Sequence, residues 1–208
     1  MFKINKLPLL IISVLGYLMI VWTFSGSVTP TYGQDKASGI PSLGDGAYEV
    51  IMFTDYFCMP CYRIDTKAEV LMKELLASGK TKITFVDVPI YSATPIYARY
   101  FLYAINAGVD DEKVFRIRKT LFKAAQEGLI KKKEELIYYF KEEKIDWKEF
   151  DEKPIFLLMS KVIKDNNVDT TPSCVIKYSP TEIKKYVGTD KIWDGLTKLK
   201  SHLAADRK

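Results

Sequence analysis

The sequence predicts a mixed α/β domain with a mainly helical insertion, preceded by one N-terminal transmembrane or signal helix over residues 1–24. Three observations carry this. Residues Leu7–Phe24, LPLLIISVLGYLMIVWTF, form a stretch of 18 residues without a charge. A strand-like run, a helical run and a second strand-like run follow one another between residues 48 and 88. Two more strand-like runs and an amphipathic helix close the chain. The 208 residues suit one domain with a short appendage, and 48% hydrophobic and 27% charged residues make a globular composition.

The apolar segment comes first. About 20 apolar residues cross a bilayer as a helix, because a helix satisfies its own backbone hydrogen bonds in lipid. A cleaved signal has a shorter apolar core, about 7–15 residues, and a small-residue cleavage site. The longer core here, followed by Ser25, Gly26 and Ser27, favours an uncleaved anchor over a cleaved signal. Lys3 and Lys6 precede it and stay cytoplasmic by the positive-inside rule. Either reading places the rest of the chain outside the cytoplasm, where disulfides are permitted. No cysteine precedes Cys58, which excludes lipid attachment at a processed N-terminal cysteine.

Residues 25–46 hold five Gly, four Ser and two Pro without apolar periodicity, and read as a flexible linker. The domain then occupies 47–208. Tyr48–Phe53, YEVIMF, is a buried strand. Met59–Ser78 is a helix, with Ile64, Ala68, Leu71, Leu75 and Leu76 at spacings of three and four and Gly79 as its stop. Lys82–Val88 is a second strand, parallel to the first because a helix connects them. The helical insertion spans about 94–166, with helices over Thr94–Ala107, Asp111–Gln126, Glu134–Glu143 and Pro154–Asn166. Ser173–Lys177 and Ile183–Val187 make an antiparallel pair, and Thr189–Ala205 is the last helix.

Composition removes several classes of function. The single histidine, His202, lies six residues from the C-terminus and nearly excludes a histidine-based triad or a multi-histidine metal centre. Lys and Arg number 31 against 26 Asp and Glu, too mild an excess to argue for nucleic acid.

The chemical signal is Cys58-Met59-Pro60-Cys61, where a buried strand gives way to a helix. At a helix start, free backbone N–H groups and the positive dipole end favour an anion, so the Cys58 thiol is expected to ionise readily. Cys61 lies one turn on along the same face and can reach back to form a disulfide or attack one held on Cys58. Pro60 sits where its missing N–H costs no helix bond. Half of a zinc site is the competing reading, but only Cys174 and His202 remain to complete it. A structural disulfide is the other. No metal and no cofactor are expected.

With these residues the chain resembles the thioredoxin fold, and within it the DsbA-like thiol–disulfide oxidoreductases. Phe53, Asp55, Tyr56, Cys58, Pro60 and Cys61 carry the likeness, with Thr171-Pro172 at the head of a late strand and Val88–Gly108 as the strand end and first inserted helix. It covers most of residues 47–203. The resemblance implies a cis proline at Pro172, packed against the active-site disulfide, with Thr171 and the intervening Met59 and Pro60 supporting the site. Three departures stand out. Relatives carry a buried carboxylate six residues before the first cysteine; here that place is Met52, leaving Glu49 and Asp55 as candidate proton acceptors. The dipeptide between the cysteines is Met-Pro, which leaves the direction of electron flow open. Cys174, two residues after Pro172, is a buried small hydrophobe or an additional resolving thiol.

The expected function is therefore an extracytoplasmic, membrane-tethered thiol–disulfide oxidoreductase. Cys58 exchanges with protein thiol or disulfide substrates, Cys61 resolves, and a membrane redox partner resets the pair. The alternatives are a dedicated thiol reductase, as in cytochrome c maturation, and a non-catalytic thioredoxin-fold binding or chaperone module. A copper-delivery role lacks its histidine.

Overall fold

The computed structural model describes residues 39–128, 130 and 132–205. The anchor or signal segment expected over 1–24 and the linker up to residue 38 lie outside the described residues. Among those described, no helix is long and apolar enough to cross a membrane.

A five-stranded sheet forms the centre. In chain order the elements are β1 (Ser42–Leu43), β2 (Tyr48–Thr54), α1 (Met59–Ala77), β3 (Thr81–Asp87), α2 (Thr94–Asn106), α3 (Asp111–Gln126), α4 (Lys133–Glu142), α5 (Lys153–Asp165), β4 (Ser173–Lys177), β5 (Ile183–Val187) and α6 (Thr189–Ala205). Every helix and strand expected within residues 47–208 is present, with ends within one residue. The sheet order is β1-β3-β2-β4-β5. β2 and β3 run parallel, as their helical connection requires, and β4 pairs antiparallel with both β2 and β5.

The linker expected over 25–46 ends earlier than its composition suggests. Ser42 and Leu43 form β1, antiparallel to β3, with Ser42 opposite Thr84 and Leu43 opposite Ile83. Leu43 is buried, and the Phe85 N–H donates to the Pro41 carbonyl at 2.9 Å. The glycines after this short strand serve the turn into β2. A Cβ on Gly46 would lie 1.8 Å from the Lys80 carbonyl carbon, so only glycine fits there.

β2 is central and buried on both faces, which is why it reads as an unbroken apolar run. Its alternate residues feed two cores. Val50 and Met52 face the larger one with Ile83, Phe85, Cys174 and Ile176, under α1, α3 and α6. Ile51 and Phe53 face the smaller one with Val86 and Val175, under Ile155 and Met159 of α5. α1 buries Cys61, Ile64, Asp65, Ala68, Leu71, Met72 and Leu75, a stripe at spacings of three and four. Each fully buried aliphatic or aromatic side chain here contributes about 1.5–3 kcal/mol. The stripe fixes α1 against the sheet and so fixes the two cysteines at its start.

Candidate active site at the head of α1

Cys58 is the N-cap residue of α1, in extended backbone with φ −83° and ψ 107°. Its N–H donates to the Asp55 carbonyl at 3.1 Å, closing the turn that leaves β2. Its Sγ accepts from the Cys61 N–H at 3.3 Å, the place a capping oxygen takes in other helices. A disulfide joins Cys58 to Cys61, with their Cα atoms 5.2 Å apart. Pro60 stands within the first turn, as expected. The two sulfur positions differ in access: Cys58 is 7% exposed and Cys61 0%, while Met59 between them is 47% exposed.

Two other segments meet this turn. The Thr171–Pro172 peptide is cis, and the Thr171 carbonyl oxygen lies 3.6 Å from Cys58 Sγ. Pro172 is buried. The Gly188 N–H donates to the Pro172 carbonyl at 2.9 Å, and the Thr189 hydroxyl to the Pro60 carbonyl at 3.4 Å. Thus Met59, Pro60, Thr171 and Pro172 all stand at or beside the disulfide. Gly188 and Thr189 were not anticipated. Their only signal was a glycine between a strand and a helix.

Asp55 shapes the adjoining loop. One carboxylate oxygen accepts from the Phe57 N–H at 2.8 Å. The other accepts from the N–H groups of Ile90 and Tyr91 at 2.9 and 3.3 Å and from the Thr94 hydroxyl at 2.6 Å. Ile90 and Tyr91 are exposed, and the Tyr91 ring lies 6.1 Å from that of Phe57. Phe57 directly precedes Cys58, and Met59, which follows it, is exposed as well.

Behind α1 lies a buried charged cluster that sequence reading missed. Arg118 of α3 is fully buried and donates to Asp65 of α1 at 2.6 Å, and to the Thr54 hydroxyl at 3.2 Å. Its guanidinium also packs 4.1 Å from the Phe85 ring centre. Asp87, at the end of β3, accepts from the Tyr56 hydroxyl at 3.5 Å through one oxygen. Its other oxygen and Arg118 Nη1 have no hydrogen-bond partner among the described residues. Burial pushes the Asp87 carboxyl up to about 7, against the pull of Arg118. Burial also raises the Asp65 carboxyl, and the Arg118 guanidinium opposes it. The sequence did carry a signal: Asp65, Asp87 and Arg118 all fall on apolar phases of their elements.

The remaining candidates stand apart from this chemistry. Met52 is buried between Phe85 and Cys174 in the strand register. Glu49 pairs with Lys177 at 2.8 Å, near the start of β2 and away from the cysteines at its far end. Asp55 has its oxygens committed to the loop. Neither is placed as the proton acceptor considered for Cys61. Cys174 is fully buried, and burial pushes its thiol far up, which makes it a packing residue rather than a reactive one. Among the described residues no group of three or more His, Cys, Asp or Glu is placed to hold a metal ion.

Comparison with known proteins agrees with this architecture. No curated protein matches the chain in sequence. Among solved structures, Wolbachia pipientis alpha-DsbA1 is 16% identical, covering 81% of this chain and 97% of that one with a TM-score of 0.61. The catalytic domain of Proteus mirabilis ScsC is 17% identical, covering 83% and 93%, TM-score 0.60. A periplasmic thioredoxin-like protein from Salmonella enterica serovar Typhimurium is 16% identical, covering 83% and 94%, TM-score 0.60. At these identities the likeness is one of fold. The thioredoxin family model matches residues 42–189, from β1 through every strand of the sheet to the first residue of α6, and the chain belongs to that family.

Proposed function

We propose that the chain is an extracytoplasmic protein thiol–disulfide oxidoreductase, tethered to the membrane by its N-terminal apolar segment. One observation carries the reading: a disulfide at the head of a helix whose first cysteine keeps a little exposure and whose second has none. A substrate thiolate attacks Cys58, the less buried of the pair, Cys61 leaves as a thiolate that takes up a proton, and the second substrate thiol then displaces Cys58 as a thiolate. In the reverse direction the Cys58 thiolate, favoured by the helix start, attacks a substrate disulfide. Cys61 then breaks the mixed disulfide from within. The apolar rim of Met59, Ile90 and Tyr91 receives unfolded or extended protein segments. The fold likeness to alpha-DsbA1 and the periplasmic Salmonella protein supports both the activity and the compartment.

The test is exchange with a model dithiol peptide and with a disulfide-bonded protein. Cys58→Ser reduces turnover to the uncatalysed rate, and Cys61→Ser accumulates mixed disulfides at Cys58. Full turnover by the Cys58 variant would defeat the assignment. The midpoint potential then gives the direction: about −120 mV marks a disulfide donor and about −270 mV a reductase. A membrane redox partner would appear among the proteins trapped on Cys61→Ser.

A further inference from the structure

Two members of the buried polar cluster flank the disulfide along the chain. Asp65 lies four residues after Cys61 on the same buried stripe of α1, where side chains one turn apart are neighbours. Tyr56, two residues before Cys58, is buried and turns its hydroxyl toward Asp87. Arg118 ties the two branches together, because it holds Asp65 and also Thr54, the residue directly opposite Asp87 in the strand register. The groups that face Asp87 are Arg118 from α3, Asp65 from α1, and Tyr56 and Asp55 from the turn between β2 and α1. Arg118 and Asp65 balance one another, so the charge of the cluster is set by Asp87. One Asp87 oxygen is buried without a partner, an arrangement that suits a carboxyl able to hold a proton.

We propose that Asp87 takes up the second proton released when a substrate dithiol reduces the Cys58–Cys61 disulfide. This rests on the exchange activity proposed above. The substrate dithiol loses two electrons and two protons and becomes a disulfide. The Cys58–Cys61 bond breaks and leaves a thiolate on Cys58 and a thiol on Cys61. One proton goes to Cys61 and the other to the Asp87 carboxylate, so the new negative charge on Cys58 is matched by the one lost at Asp87. Oxidation of the pair reverses both transfers. Asp87 touches neither substrate nor sulfur; it is a positioning residue that acts through the field inside the domain, where charges interact far more strongly than in water. The coupling is reciprocal: a thiolate on Cys58 raises the proton affinity of Asp87, and an ionised Asp87 disfavours the thiolate.

The experiment follows the Asp87 carboxyl by carbon-13 NMR in the full chain, with aspartate labelled, as pH is varied in the oxidised and the reduced protein. Asp87→Asn assigns the resonance. The expected result is a proton affinity on the order of tenfold higher in the reduced state. Equal midpoints in the two states overturn the proposal. The second measurement is the midpoint potential of the Cys58–Cys61 pair against pH. Wild type steepens between the two Asp87 midpoints and Asp87→Asn does not. A reversible couple whose pH profile ignores Asp87→Asn sinks the proton assignment and leaves the exchange activity standing. Absence of any reversible couple sinks the exchange activity itself, and the proton assignment with it.

Discussion

Two buried aspartates stand at the same end of adjacent parallel strands and are built for opposite purposes. Asp55, just past β2, accepts from four donors and holds a loop in shape. Asp87, at the end of β3, has one long hydrogen bond and a bare oxygen. A buried carboxylate left short of donors is pushed toward its neutral form. The comparison separates a carboxylate that fixes geometry from one that stores charge, at one end of one sheet.

The largest effect that tests this contrast is on stability against pH. The folded Asp87 carboxyl titrates near 7, against 3.8 for a free side chain. Between these values the native state holds a proton that the unfolded chain has lost, so stability falls as pH rises from about 4 to about 7, then levels off. The loss attributable to Asp87 is up to about 4 kcal/mol. Asp87→Asn removes this component, so its stability relative to wild type rises across that window in urea unfolding. A constant difference between the two proteins would show that Asp87 is ionised throughout. Asp55→Ala acts differently. It strands the N–H groups of Phe57, Ile90 and Tyr91 and the Thr94 hydroxyl, and costs about 2–3 kcal/mol. It also slows exchange several-fold, because the loop carrying Ile90 and Tyr91 loses its hold beside Cys58. Unchanged exchange with reduced stability would remove that loop from the substrate path. The smallest effect belongs to Cys174→Ala, which costs about 1 kcal/mol of packing and leaves the exchange rate within about twofold. Lost turnover in that variant would restore a chemical role to the third thiol.

Much of this was legible in the sequence. The β2–α1–β3 unit follows from apolar patterning, since an unbroken apolar run and a stripe at spacings of three and four are properties of single elements. Cys58, Pro60 and Cys61 are contiguous, so their spacing alone placed them at a helix start. Pro172 came from resemblance. β1 was hidden because two residues between glycines carry no periodicity, and only β3 makes them a strand. The Arg118–Asp65–Asp87 cluster was hidden for a related reason. Its members come from three elements up to 53 residues apart, and nothing local distinguishes a buried charge from a solvated one until the partner is in place. Each did sit on an apolar phase, a mismatch that deserves reading as a flag.

Met59 has a consequence of its own. Its thioether stands in the open between two cysteines that, in the resting disulfide, are already oxidised and inert to peroxide. Met52 and Cys174, the neighbouring sulfurs in the sheet, are sealed from solvent. Among the described sulfurs, oxidative damage therefore reaches Met59 first. Addition of one oxygen turns an apolar contact at the rim into a polar one, and weakens docking of apolar segments without touching the sulfurs that exchange.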